Sequence, residues 1–99
     1  MQANDAQTLV LSALADGPKH GYAINLAIEE LTGERLGAGS LYGALTRLEA
    51  KGLVETLEEQ GRQRPVQLTS EGRSVLEKEL RAMARLADAG LRQLGLKPT

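Results

Sequence analysis

The stretch Gly39-Ser40-Leu41-Tyr42-Gly43-Ala44-Leu45-Thr46-Arg47-Leu48-Glu49-Ala50-Lys51-Gly52 decides how the chain reads. At 100° per residue it splits into two faces. Leu41, Ala44, Leu45 and Leu48 form the apolar side, while Gly43, Thr46, Arg47 and Ala50 lie opposite, flanked by Ser40, Tyr42 and Lys51. Gly39-Ser40 opens this third helix and Gly52 ends it. An outer face of small residues, hydroxyls and one guanidinium suits a DNA major groove: small residues allow close approach, and Arg and Thr reach base edges or phosphates. The plainer reading is a solvated helix face, which is more often filled with Glu and Lys.

Upstream, Asn4 and Gln7 have capping-box spacing, and Leu9, Val10, Ala13 and Leu14 follow at helical spacing until Asp16-Gly17-Pro18. This predicts a first helix over about 5–15. Ile24, Leu26, Ala27, Ile28 and Leu31 make a broad stripe over 20–32, closed by Thr32-Gly33 with glycine at the C-cap. Residues 34–37 are too short for more than a connecting strand. Downstream, 53–57 and 65–69 are β-compatible runs around a polar, glycine-containing tip, which predicts a hairpin. Pro65 has no donor for a ladder and so belongs at the start of an edge strand. Thr69 is a good N-cap with Glu71 in the first turn, opening a long helix to about Leu94. Three helices, a hairpin and a long helix give a mainly α chain with a small β-hairpin, the order of a winged helix-turn-helix. Residues 1–69 would form the DNA-binding unit and 70–99 a C-terminal dimerisation helix.

Composition bounds the chemistry. Ninety-nine residues make one small domain, which argues against a large enzyme cleft. Without cysteine there is no disulfide, no thiolate zinc site and no thiol nucleophile, and one histidine supplies no metal cluster. His20, beside Pro18 and Lys19, has no second ligand within sequence reach, so a structural role at the start of the second helix is expected. Tyr22 reads as a packing residue with a bonded hydroxyl. Gly37-Ala38-Gly39-Ser40 has neither a preceding hydrophobic strand nor a Gly-Lys-Ser/Thr end, so it is no nucleotide loop; a DNA phosphate is the fitting anion at that helix start. No catalytic residue, metal or cofactor is expected. Met1–Gln7 lacks the basic and apolar runs of a signal peptide, and no apolar run nears a membrane span, so a soluble, cytoplasmic chain is expected.

The net charge is −1, which does not announce a nucleic-acid partner. Position matters more than the sum. Acids crowd the second helix, the strand before the wing and the start of the last helix, whereas Arg47, Lys51, Arg62 and Arg64 gather on the expected reading surface. Gly61-Arg62-Gln63-Arg64 at the hairpin tip holds two arginines, suited to phosphates or a narrow minor groove, although a solvated turn would read the same way.

In the last helix Leu76, Leu80, Met83, Ala87, Leu91 and Leu94 are spaced by four and three residues, a coiled-coil-like seam widened by Val75, Ala82, Leu86 and Ala89. A helix of roughly 26 residues is about 39 Å long, more than a 70-residue body covers. The remaining apolar length calls for a partner, and a two-fold dimer is the commonest.

Taken in order, His20-Gly21-Tyr22, Gly39 to Leu45, Arg47-Leu48-Glu49, Gly52-Leu53-Val54, Gly61-Arg62 with Arg64, Leu68-Thr69 and Gly72-Arg73 resemble the PadR-type winged-helix transcriptional regulators over about residues 8–75. The resemblance implies a homodimeric repressor that binds double-stranded DNA at an inverted repeat, with the third helix in the major groove and the last helix pairing the subunits. By position, Tyr42 would contact the backbone, Thr46 and Arg47 would face the groove, and Arg62 and Arg64 would sit on the wing. The chain departs from the family pattern at Gly43, usually proline, at Thr46, often basic, and at Pro65-Val66, usually aromatic. In related regulators a small-molecule effector can lodge at the dimer interface; with no aromatic in the last helix, such a pocket here would be aliphatic. The competing reading is a winged helix whose third helix and wing face another protein, favoured by the near-neutral charge and by Thr46.

Overall fold

A computed structural model describes residues 5–58 and 64–98. The order is α1 (Ala6–Ala13), α2 (Gly21–Thr32), α3 (Ala38–Ala50), β1 (Val54–Thr56), β2 (Val66–Leu68) and α4 (Ser70–Gln93). β1 and β2 form an antiparallel hairpin with Val54 opposite Leu68 and Thr56 opposite Val66. The expected fold is present, mainly helical with one small hairpin and a long final helix.

The core is aliphatic, as the absence of Phe and Trp requires. α1 lies at its centre and buries Leu9, Val10, Leu11, Ala13 and, just beyond the helix, Leu14. α2 contributes Ile24 and Ile28, α3 contributes Leu41, Ala44 and Leu48, and the hairpin closes the cluster with Val54, Val66 and Leu68. α4 enters the same core through Gly72 and Leu76. Leu76, read from spacing as part of the outward seam, is therefore buried in its own chain.

Helix ends follow local chemistry. Gly33 closes α2 at φ 86°, a left-handed conformation that glycine adopts without a Cβ clash, and its N–H reaches the Glu29 carbonyl. Thr69 caps α4: its Oγ1 accepts from the Gly72 N–H at 3.0 Å and donates to the Gly52 carbonyl at 2.7 Å. Asp5 holds the N-cap position of α1 without a side-chain cap, and Asn4 of the expected capping box lies outside the described residues.

Two sequence expectations change. Residues 34–37 form no strand, because Leu36 finds a side chain in place of a strand partner: its N–H donates to Asn25 Oδ1 at 2.8 Å and its carbonyl accepts from Asn25 Nδ2 at 2.7 Å. β2 is not a plain edge strand either. Val66 exchanges both backbone bonds with Lys19, at 2.9 and 3.0 Å, so it has a neighbour on each side. Pro65 is tolerated because it precedes the ladder and contributes only its carbonyl, which accepts from the Leu57 N–H at 2.8 Å.

Among the described residues no helix is long and apolar enough to cross a membrane.

Candidate nucleic-acid interface

α3 presents its outer face because its inner face is consumed. Leu41, Ala44 and Leu48 are at most 3% exposed, which fixes the helix's rotation and turns Ser40, Thr46, Arg47, Ala50 and Lys51 outward. No acid or base occupies the first turn, so the exposed N-terminal amides of α3 carry the helix dipole's positive end unopposed.

Beside this face runs a groove of about 240 Å³ between α3 and the hairpin. Tyr42, Leu45, Thr46 and Glu49 line it from α3, Val54, Thr56 and Val66 from the strands, and Arg64 from the wing. The structure thus brings Tyr42, Thr46 and Arg64 together, while Ser40, Gly43 and Arg47 lie further round the helix. Lys51 stands apart at the C-terminal end of α3, where its Nζ donates to Gln7 Oε1 on α1 at 2.7 Å. Arg62 lies outside the described residues.

Several contacts refine the roles expected of these residues. The Thr46 hydroxyl donates to the Tyr42 carbonyl at 2.9 Å, one turn back, so its proton is already committed. Tyr42 is 58% exposed and its hydroxyl lies over Gly21, where a Cβ would stand 2.8 Å from the phenolic oxygen. Gly21 thus lets the tyrosine hydroxyl lie against the start of α2, a long-range contact that sequence spacing does not reveal. Gly43 leaves space that Arg47 uses: a Cβ there would meet only Arg47 Nη1, at 3.2 Å. The guanidinium lies back along the helix, one turn from its root.

The remaining cations divide by pairing. Lys19 is bound to Asp16, whose carboxyl is held below its ordinary range chiefly by that hydrogen bond, and Arg35 pairs with Glu29 at 3.2 Å. Arg47 and Arg64 are exposed and have no ion pair among the described residues. His20 sits at the N-cap of α2, where its carbonyl accepts from the Ile24 N–H and its Nδ1 is buried without a partner among the described residues. Tyr22 is not the packing residue expected: it is 70% exposed, with Arg35 over its ring at 5.9 Å.

An exposed, thinly basic helix face thus stands next to a hairpin that carries Arg64. The model of the transcriptional regulator PadR-like family matches residues 10–78, spanning α2, α3, the hairpin and the start of α4. The chain belongs to this family. Over 87 residues it is 69% identical to an uncharacterized 37.1 kDa protein in transposon TN4556 of Streptomyces fradiae, a match covering 88% of this chain and 25% of that protein. The chain thus spans a quarter of that relative's length. Among solved structures, RosR of H. salinarum is 32% identical with a TM-score of 0.72, over 88% of this chain and 77% of its own. A PadR family transcription regulator from Clostridium difficile is 29% identical with a TM-score of 0.75, over 90% and 96%. The PadR-like match includes every expected contact residue of α3, together with Arg64.

Proposed function

We propose that this chain is a DNA-binding transcriptional regulator, a repressor that reads an inverted-repeat operator as a homodimer. The observation that carries the reading is the exposed α3 face of Gly43, Thr46, Arg47 and Ala50, with Glu49 only at its groove edge, beside a wing bearing Arg64. A major groove about 12 Å wide admits such a helix. In this reading Arg47 swings off Gly43 to a base edge, and Ser40, Tyr42 and Thr46 contact backbone or bases at the groove wall. Arg64, with Arg62, neutralises phosphates, and Lys51 meets the backbone at the far end. Roles divide along the chain: residues 1–69 read and residues 70–99 pair.

Pairing draws support from α4. Beyond Leu76 the seam comes out of the core, with Leu80 45% and Leu94 74% exposed, Ala87 exposed, and Met83 and Leu91 partly so. Reading an inverted repeat requires the two copies' α3 helices to lie on one face, one DNA turn apart, which is about 34–36 Å. An aliphatic effector held between the α4 helices would change that spacing.

Selection from a random duplex pool, followed by titration of the selected and a random duplex at several salt concentrations, tests the reading. An enriched inverted repeat, with affinity falling steeply with salt, is expected. Binding that ignores both sequence and salt, or recovery of a protein partner without DNA, would favour the protein-interaction reading instead.

A further inference from the structure

The groove between α3 and the hairpin holds charges of opposite sign on its two walls. Arg64 stands on the wing side and Glu49 on the α3 side, one turn beyond Thr46. Glu49 is exposed, and its Oε2 accepts a hydrogen bond from Thr56 Oγ1 on β1 at 2.8 Å. Among the described residues it makes no ion pair, with Arg64 or with any other cation. The neighbouring acid on β1 differs: strand alternation turns Glu55 to the opposite hairpin face, where its Oε1 accepts from Gln67 Nε2 at 2.6 Å. Among the described residues, Glu49 is thus the carboxylate lining the groove that a DNA backbone would enter when α3 and the wing straddle it.

We propose that Glu49 is a positioning residue with a second, opposing electrostatic effect. This inference rests on the DNA-binding reading above. As an acceptor, Glu49 fastens β1 to α3 and so fixes the angle at which the wing meets the duplex. As a charge, it repels phosphates whatever the base sequence and limits affinity for any duplex. A unit charge facing a phosphate across roughly 7–8 Å of water changes affinity by a factor of about two to three. The two effects separate chemically, because glutamine keeps the acceptor and removes the charge, whereas alanine removes both.

The test measures binding of the wild-type chain, Glu49→Gln and Glu49→Ala to the selected operator and to a random duplex at fixed salt, with melting curves confirming that each variant is folded. Glu49→Gln is expected to bind both duplexes about two- to threefold more tightly, with their ratio unchanged. Glu49→Ala is expected to gain on the random duplex but to show a lower operator-to-random ratio than Glu49→Gln, because its wing is no longer held. Operator binding by Glu49→Gln that is unchanged or weaker overturns the electrostatic half; weakening alone would assign the carboxylate to a base, such as a cytosine amine. Equal ratios for the two variants overturn the positioning half. Absence of salt-dependent DNA binding by the wild-type chain would instead overturn the reading on which the inference rests.

Discussion

α3 and α4 are both amphipathic, yet they use their apolar faces differently. The apolar side of α3 is spent inside its own chain, with Leu48 fully buried, and what remains outside is polar. α4 starts the same way, with Gly72 and Leu76 in the core, and then carries its stripe out of the body to Leu94 at 74% exposure. A face completed by its own chain orients the opposite face for recognition. A face left uncovered is, in the proposed function, the surface along which two copies pair.

The largest effect that would break this contrast is in the core. Leu48→Ala is expected to cost about 2–5 kcal/mol in urea unfolding at any protein concentration. Leu80→Ala should act mainly through self-association, with its cost growing as concentration rises. Equal, concentration-independent losses would mean that both leucines serve only the single chain. Gly72→Ala comes next. A Cβ there would lie 1.9 Å from the Leu53 carbonyl oxygen, so α4 must shift off the hairpin, at a cost of about 1–3 kcal/mol or more. Thr69→Ala removes the cap and the bond to Gly52, and about 1 kcal/mol of stability is expected to go with them.

The smallest expected effect concerns pH. Lys19 lowers the Asp16 carboxyl below its unfolded value, so the pair's contribution is present above that unfolded value and lost as pH falls through the folded one. Asp16 is fully exposed, so only the acid limb of a stability profile should move in Asp16→Asn, and only slightly. A change confined to neutral pH would contradict this.

Much of the architecture was legible because periodicity and caps are local signals. The split of α3, the glycine stop at Gly33 and the Thr69 cap all lie within one or two helical turns. Long-range contacts were not legible. Gly72 is small because the Leu53 carbonyl comes against it, Tyr42 lies over Gly21, and the sequence marks neither approach. The Lys19–Val66 bridge is a single pair, too short for a strand pattern. Thr8, buried and donating to Glu79 at 2.6 Å across the α1–α4 contact, looks like an ordinary polar residue of a first helical turn. Of the expected reading surface, spacing identified the face of α3. It did not show that Tyr42 and Thr46 turn toward the wing, that Lys51 bonds to Gln7, or that Glu49 shares the groove with Arg64.

The most direct test of the central claim compares Arg47→Ala with Arg64→Ala on the selected operator and on a random duplex across a salt series. If α3 reads bases and the wing holds the backbone, Arg47→Ala loses about 1–3 kcal/mol on the operator and little on random DNA. Arg64→Ala then weakens both duplexes alike and lowers the salt slope by about one. Equal losses for the two variants on both duplexes would contradict the division between a reading helix and a holding wing.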